Sequence, residues 1–159
     1  MSEIIVTAMT REDIPEVLEL IREFASYENL LDHCEVDEER LDVALFSVGG
    51  TAEGLVARDG ERMVGYAFFY PNFASFRGQR GFYLEDIYVT ENVRGRGVGE
   101  LILRHLARLA ASRGCERLDF LVLDWNSPAI GFYKKLGALG EDSERHFKFT
   151  DDAFRNLAR

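Results

Sequence analysis

Apolar positions along the chain change period several times, and each change predicts an element. Ile4 to Met9 reads as a first strand, after which Thr10-Arg11-Glu12-Asp13 has the form of a capping box opening a helix. Ile14, Val17, Leu18, Ile21 and Phe24 then recur at helical spacing, so one face is expected to be buried as far as about Tyr27. A shorter helix is predicted over 37–46 and a strand over 51–58. Asp59-Gly60 marks a hairpin into a second strand over 63–70. Residues 71–80 read as a loop and 82–89 as a central strand. The spacing predicts a helix over 98–113, with Leu101, Leu106, Leu109 and Ala110 facing the core and Gly114 ending it. A strand over 117–123, a helix over 128–136 closed by Gly137, a last strand over 145–149 and a short helix over 154–158 complete the reading.

A chain of 159 residues that is 47% apolar fits one domain with a single core, residues 1–159. No run approaches the ~18 apolar residues of a membrane span, and Met1-Ser2-Glu3 lacks the basic and apolar regions of a signal peptide, so a soluble, cytoplasmic protein with no membrane partner is expected. Cys34 and Cys115 lack metal-site spacing, and His33, His105 and His146 are scattered, so both thiols are read as reduced and no metal is expected. The net charge of −9 is uneven: residues 1–50 carry three Arg against thirteen Asp and Glu. Such an acidic segment repels nucleic acid and suits a small cation.

The stretch Val89 to Gly99 carries the first chemistry. A strand runs into Arg94-Gly95-Arg96-Gly97-Val98-Gly99 and then a helix. The three glycines allow positive φ and close approach of a ligand to the backbone, while the first helical N–H groups have no internal partner, so the stretch reads as a cradle for a diphosphate. A second motif, Trp125-Asn126-Ser127-Pro128-Ala129, opens a helix capped by Asn126 or Ser127 with Pro128 in its first turn, and the helix continues through Phe132-Tyr133-Lys134.

Arg94, Gly97 and Gly99, followed by one strand and the capped helix, resemble the Gcn5-related N-acetyltransferase (GNAT) superfamily over nearly the whole chain. With Tyr83-Leu84-Glu85-Asp86, Phe120-Leu121-Val122, Leu20-Ile21 and Tyr27-Glu28, the chain is similar to the diamine acetyltransferases, the spermidine/spermine and thialysine group. That resemblance implies an α/β (α+β) fold: a mixed, strongly twisted sheet of six to seven strands flanked by helices and splayed between its fourth and fifth strands. It implies acetyl-CoA as acetyl donor. The backbone of Ile87, Tyr88 and Val89 would pair with pantetheine, and Arg94 together with the N–H groups of Gly95, Arg96, Gly97, Val98, Gly99 and Glu100 would hold the diphosphate. Asn126, Ser127, Pro128 and Ala129 would border the cofactor, with Arg96 as a possible extra phosphate contact. The resemblance also implies a homodimer.

The chemistry has its own logic. A primary ammonium has a pKa near ~10.4 and must lose a proton before it attacks. Glu85, on the predicted central strand, is the expected base, directly or through water, while neighbouring Asp86 is left without a role. Helix periodicity alone would make Tyr133 a core aromatic; its place in the resemblance makes it the expected general acid for the departing thiolate, a role open to a phenol whose reference pKa of ~10 keeps it protonated at neutral pH. Neither cysteine falls on a matched catalytic position, so transfer is read as direct. The resemblance to the diamine group implies that Tyr27, Glu28, Glu85, Phe120 and Leu121 line the substrate site for a small cationic amine, a diamine, polyamine or thialysine-like amino acid. Asp119 departs from the family residue at its place, and Arg77 and Arg80 would disfavour a long polyamine if they faced the channel. Two alternatives stay open: a GNAT enzyme for another amine (a protein N-terminus, lysine or an antibiotic), and a non-catalytic acetyl-CoA-binding module.

Overall fold

The computed structural model describes residues 3–159, which divide into two compact units meeting at Leu121 and Val122. The first unit is built on a five-stranded sheet in chain order: β1 (Ile4–Ala8), β2 (Glu53–Asp59), β3 (Arg62–Ala74), β4 (Gln79–Val89) and β5 (Arg117–Asp119). The first three junctions are antiparallel; β4 and β5 are parallel, joined through helix α3 (Val98–Ser112). Helices α1 (Ile14–Tyr27) and α2 (Glu38–Phe46) belong to the opposite face. Strands covered on both faces need apolar residues at successive positions, and the near-continuous runs of β2 and β3 supply them. Val56, Tyr66, Phe68 and Tyr88 pack with Val17, Leu18 and Ile21 of α1, while Leu55, Val64, Phe69, Phe82 and Leu84 pack with Ile102 and Leu106 of α3.

Local chemistry sets the helix ends that matter for the site. The Thr10 N–H donates to Asp13 at 2.7 Å, as the capping box predicts. Beyond Tyr27 and Glu28, Asn29 takes φ +58°, a left-handed conformation that asparagine tolerates, and halts α1 there.

Several expectations are corrected. The described residues form five strands rather than six or seven, because 145–149 alternates like a strand but pairs with nothing in the ladder. β5 ends at Asp119 instead of residue 123. The predicted loop 71–80 is mostly hairpin: β3 continues to Ala74 and pairs with β4 from Gln79, leaving a tight turn between them. The buried stripe of α3 is Val98, Ile102, Leu106 and Ala110, one position out of phase with the predicted Leu101.

The expected splay is present. β5 pairs with β4 only over Gly81–Tyr83, so the ladder on that side stops while β4 runs on to Val89. The short ladder is tight: a Cβ on Gly81 would lie 2.7 Å from the Arg117 carbonyl oxygen and 2.8 Å from Asn72 Oδ1. Gly81→Ala is therefore expected to destabilise the protein by about 3 kcal/mol through overpacking against backbone that cannot yield. Thermal denaturation checks this, and an unchanged midpoint would refute it.

The second unit contains α4 (Ser127–Lys135) and α5 (Asp151–Leu157). Asn126 is the cap of α4, its Oδ1 accepting from the Ala129 N–H at 3.3 Å, and Pro128 stands in the first turn.

Candidate active site

The cradle forms where β4 gives way to α3. Gly95 and Gly97 both take φ +79°, and a Cβ on either would meet nothing within 4 Å, so the requirement there is conformational rather than steric. Gly99 is helical, which corrects the expectation of three positive-φ glycines. Helix hydrogen bonding begins with the Leu101 N–H on the Gly97 carbonyl. Among the described residues, the amides of Gly95, Gly97, Val98, Gly99 and Glu100 make no hydrogen bond. The amide of Arg96 is bound to the Val93 carbonyl at 3.3 Å. Five unpaired donors at the positive end of a fifteen-residue helix are a fitting seat for a diphosphate. Arg96 itself turns to Asp59, 2.7 Å away, instead of standing ready for phosphate.

Upstream, the open edge of β4 presents alternate peptide groups. Thr90 N–H donates to Val64 O, so by antiparallel alternation the peptide groups of Tyr88 face Tyr66 on β3, while those of Ile87 and Val89 face away from β3. Ile87 and Val89 thus suit a ligand amide. The backbone of Tyr88 does not, contrary to expectation.

The acidic part of the site depends on a bulge. Phe68 of β3 pairs with Asp86 and Phe69 with Leu84, which makes Glu85 an extra residue in β4. An insertion shifts the side-chain phase: Phe82 and Leu84 pack on the α3 side before it, Ile87 and Val89 after it. Glu85 and Asp86 therefore share the α1 face. Tyr66 donates to Asp86 and Tyr70 to Glu85, each over a long 3.4 Å, and Tyr70 stacks on Tyr83. Burial, with the nearby Glu85 charge second, pushes the Asp86 carboxyl up to about 6. The Glu28 carboxylate lies near enough to add to that rise, and burial raises its own pKa. Burial and the Asp86 charge hold Tyr66 well above an ordinary phenol, so it remains a donor. Asp86 is the group that residue patterns missed, since nothing but strand pairing reveals the bulge.

Tyr27 joins this face from the end of α1, with the Arg94 guanidinium 4.6 Å above its ring. Other predicted substrate residues lie elsewhere. Phe120 packs with the α3-side core, and Leu121 is exposed. Asp119 accepts from Arg117 Nη2 and Nε at 2.6 and 2.7 Å and from Asn72, which keeps its pKa low. Arg80 reaches the end of α3, its Nη1 within 3.9 Å of a Cβ placed on Gly114.

In the second unit, Tyr133 lies on α4 with its ring tilted against Phe132 at 5.2 Å. Desolvation pushes its phenol up to about 12. Asn126 is buried, whereas Ser127, Pro128 and Ala129 line the start of the helix.

The sequence pattern described as Acetyltransferase (GNAT) family matches residues 14–138. The chain belongs to the GNAT acetyltransferase family. Within that family it is 37% identical to the thialysine N-epsilon-acetyltransferase of Sus scrofa over 99% of both chains. It is 39% identical to the L-ornithine N5-acetyltransferase NATA1 of Arabidopsis thaliana over 60% of this chain and 42% of that one. Among solved structures, an integron cassette protein from the V. cholerae mobile metagenome superposes with a TM-score of 0.82 at 23% identity, covering 100% of this chain and 99% of the other, which shows a shared fold. The protein is an acetyltransferase.

Proposed function

We propose that this enzyme transfers the acetyl group of acetyl-CoA directly to the terminal amine of a small basic amino acid or diamine, with thialysine-like acceptors foremost. One observation carries the reading: three carboxylates, Glu85, Asp86 and the Glu28 that follows Tyr27 at the end of α1, lie close enough to act on one another in the unit that also bears the anion cradle. Clustered carboxylates attract an ammonium, the Tyr27 ring offers a cation a π face, and the unpaired amides attract a diphosphate. Names in the family support the choice of amine, since the pig and Arabidopsis relatives are described as acting on thialysine and ornithine. The objection that Arg80 disfavours long polyamines loses its force with that side chain turned to the end of α3.

In this reading Glu85 meets the ammonium at the bulge and Asp86, with a pKa of about 6, takes its proton directly or through water. Tyr133 serves the departing thiolate. Arg94, the free cradle amides and the outward-facing peptide groups of Ile87 and Val89 would hold the donor, with Asn126, Ser127, Pro128 and Ala129 along its border; acetyl-CoA supplies the activated thioester. The family match spans the boundary between the two units, which supports their acting as one catalytic domain over 1–159. Resemblance to the diamine group supports a homodimer. The acidic N-terminal segment argues against a nucleic acid partner. Among the described residues no helix is long and apolar enough to cross a membrane, which fits the proposed cytoplasmic location.

A steady-state screen measuring CoA release from acetyl-CoA tests the proposal, with thialysine, ornithine, short diamines, spermidine, lysine peptides and an aminoglycoside as acceptors. The small basic amino acids or diamines are expected to exceed the peptides and the aminoglycoside in kcat/KM by about tenfold or more. Preference for a peptide would move the enzyme to another GNAT substrate class, and CoA binding without turnover of any acceptor would make it a binding module.

A further inference from the structure

Arg94 is held by aromatic and carbonyl groups rather than by an acid. Arg11, Arg58, Arg96, Arg104, Arg113, Arg117 and Arg155 each pair with a carboxylate. Arg94, among the described residues, contacts neutral groups only. Its Nε donates to the Val89 carbonyl at 3.1 Å, and its guanidinium carbon lies 4.6 Å from the Tyr27 ring centre and 5.6 Å from that of Tyr88. The Tyr88 hydroxyl is itself engaged with Glu23 at 2.8 Å. The backbone of Arg94 meanwhile opens the cradle, immediately before Gly95. One residue thus joins the two halves of the site: its main chain leads into the anion seat while its side chain fills the aromatic face assigned to the acceptor.

We infer that Arg94 makes acceptor binding contingent on the donor: in the donor-free enzyme its guanidinium occupies the Tyr27 face as an internal substitute for the substrate ammonium, and a diphosphate in the cradle draws it away. This rests on the functional reading above. The direction follows from the relative strengths of the contacts. A guanidinium binds phosphate oxygens through charge-assisted, bidentate hydrogen bonds, roughly twice as strong as bonds to neutral acceptors such as the Val89 carbonyl. A π face competes weakly. Release of Arg94 frees two things together: the Tyr27 face for a cation, and the Val89 carbonyl on the open edge of β4. Two like-charged groups cannot share one ring face, so donor and acceptor become positively coupled, and the coupling is reciprocal.

Calorimetric titration with free CoA tests the coupling without any acceptor. Tyr27→Leu removes the π face and leaves an apolar side chain at a position that is 41% exposed. It is expected to bind CoA about two- to fivefold more tightly than the parent. Tyr27→Trp, which offers a stronger π face, should bind CoA more weakly. Arg94→Gln should bind CoA weakly, and in its background both Tyr27 substitutions should change nothing. If Tyr27→Leu leaves CoA affinity equal or lower, or shifts it equally without Arg94, the inference is overturned. Thialysine titrated into the free and the CoA-saturated parent should bind more tightly in the second case, with the difference abolished in Arg94→Gln. Equal thialysine binding in both states would overturn the link to the acceptor. If the CoA results hold and thialysine binds in neither state, the amine reading falls while the competition between Tyr27 and CoA for Arg94 stands.

Discussion

Asp86→Asn is expected to yield a protein that is more stable and much less active at neutral pH. The Asp86 carboxyl is raised from an ordinary 3.8 to about 6, chiefly by burial and next by the Glu85 charge. A raised carboxyl pKa means that the folded state holds its proton more tightly than the unfolded chain. The stabilisation from that proton is fully present below about pH 3.8 and is lost as pH rises to about 6, beyond which the group imposes a constant penalty of about 3 kcal/mol. Asparagine copies the shape of the neutral acid and can still accept from Tyr66. The variant should therefore match the parent in melting temperature near pH 4 and exceed it by roughly 6 to 12 °C at pH 7. Activity should move the other way, falling by about 10²-fold or more, with the acid limb of kcat/KM near pH 6 removed. Parent and variant limbs that coincide would exclude Asp86 as the proton acceptor.

Tyr133→Phe should abolish most turnover while leaving the affinity for CoA intact. A phenol pushed up to about 12 is protonated throughout the working range. A thiol of ordinary pKa near ~8.5 is the stronger acid, so complete proton transfer from Tyr133 to the leaving sulfur is uphill by several kcal/mol. Under the proposed function the phenol would stabilise the developing thiolate by a strong hydrogen bond, a contribution made in the transition state and absent in the ground state. Loss of such a donor costs about 10² to 10³ in kcat. The phenylalanine variant should show that loss with an unchanged calorimetric Kd for CoA. Equal turnover would remove Tyr133 from its role, and a parallel loss of CoA affinity would recast it as a binding residue.

What could be read from residues alone was what residues specify locally. Gly97 at the start of α3, Asn126 before Pro128 and the Asp59-Gly60 reversal each act through their own backbone or the next few residues, and all three fall where the pattern places them. Features set at long range were illegible. Ile102 rather than Leu101 meets the sheet because the axis of α3 is oriented by packing, which helical period alone leaves open by one position. Phe147 and Phe149 alternate as in a strand, yet alternation reports a capacity to pair and not a partner. Regular alternation puts Glu85 and Asp86 on opposite faces, and their joint aim depends on what β3 sets against them. The reach of Arg94 to Tyr27 crosses sixty-seven positions, a distance at which no spacing rule operates.

The extra residue in β4 has an architectural corollary. Keep that residue but force the strand into regular pairing, and every side chain from Asp86 to Val89 exchanges faces: Tyr88 would be driven toward α3 and Val89 toward α1. The apolar identities downstream are chosen for the interrupted rhythm and are wrong for the regular one. Substitution cannot smooth the strand without breaking two cores at once, so the irregularity that aims the acidic pair is protected by the folding of the molecule as well as by its chemistry.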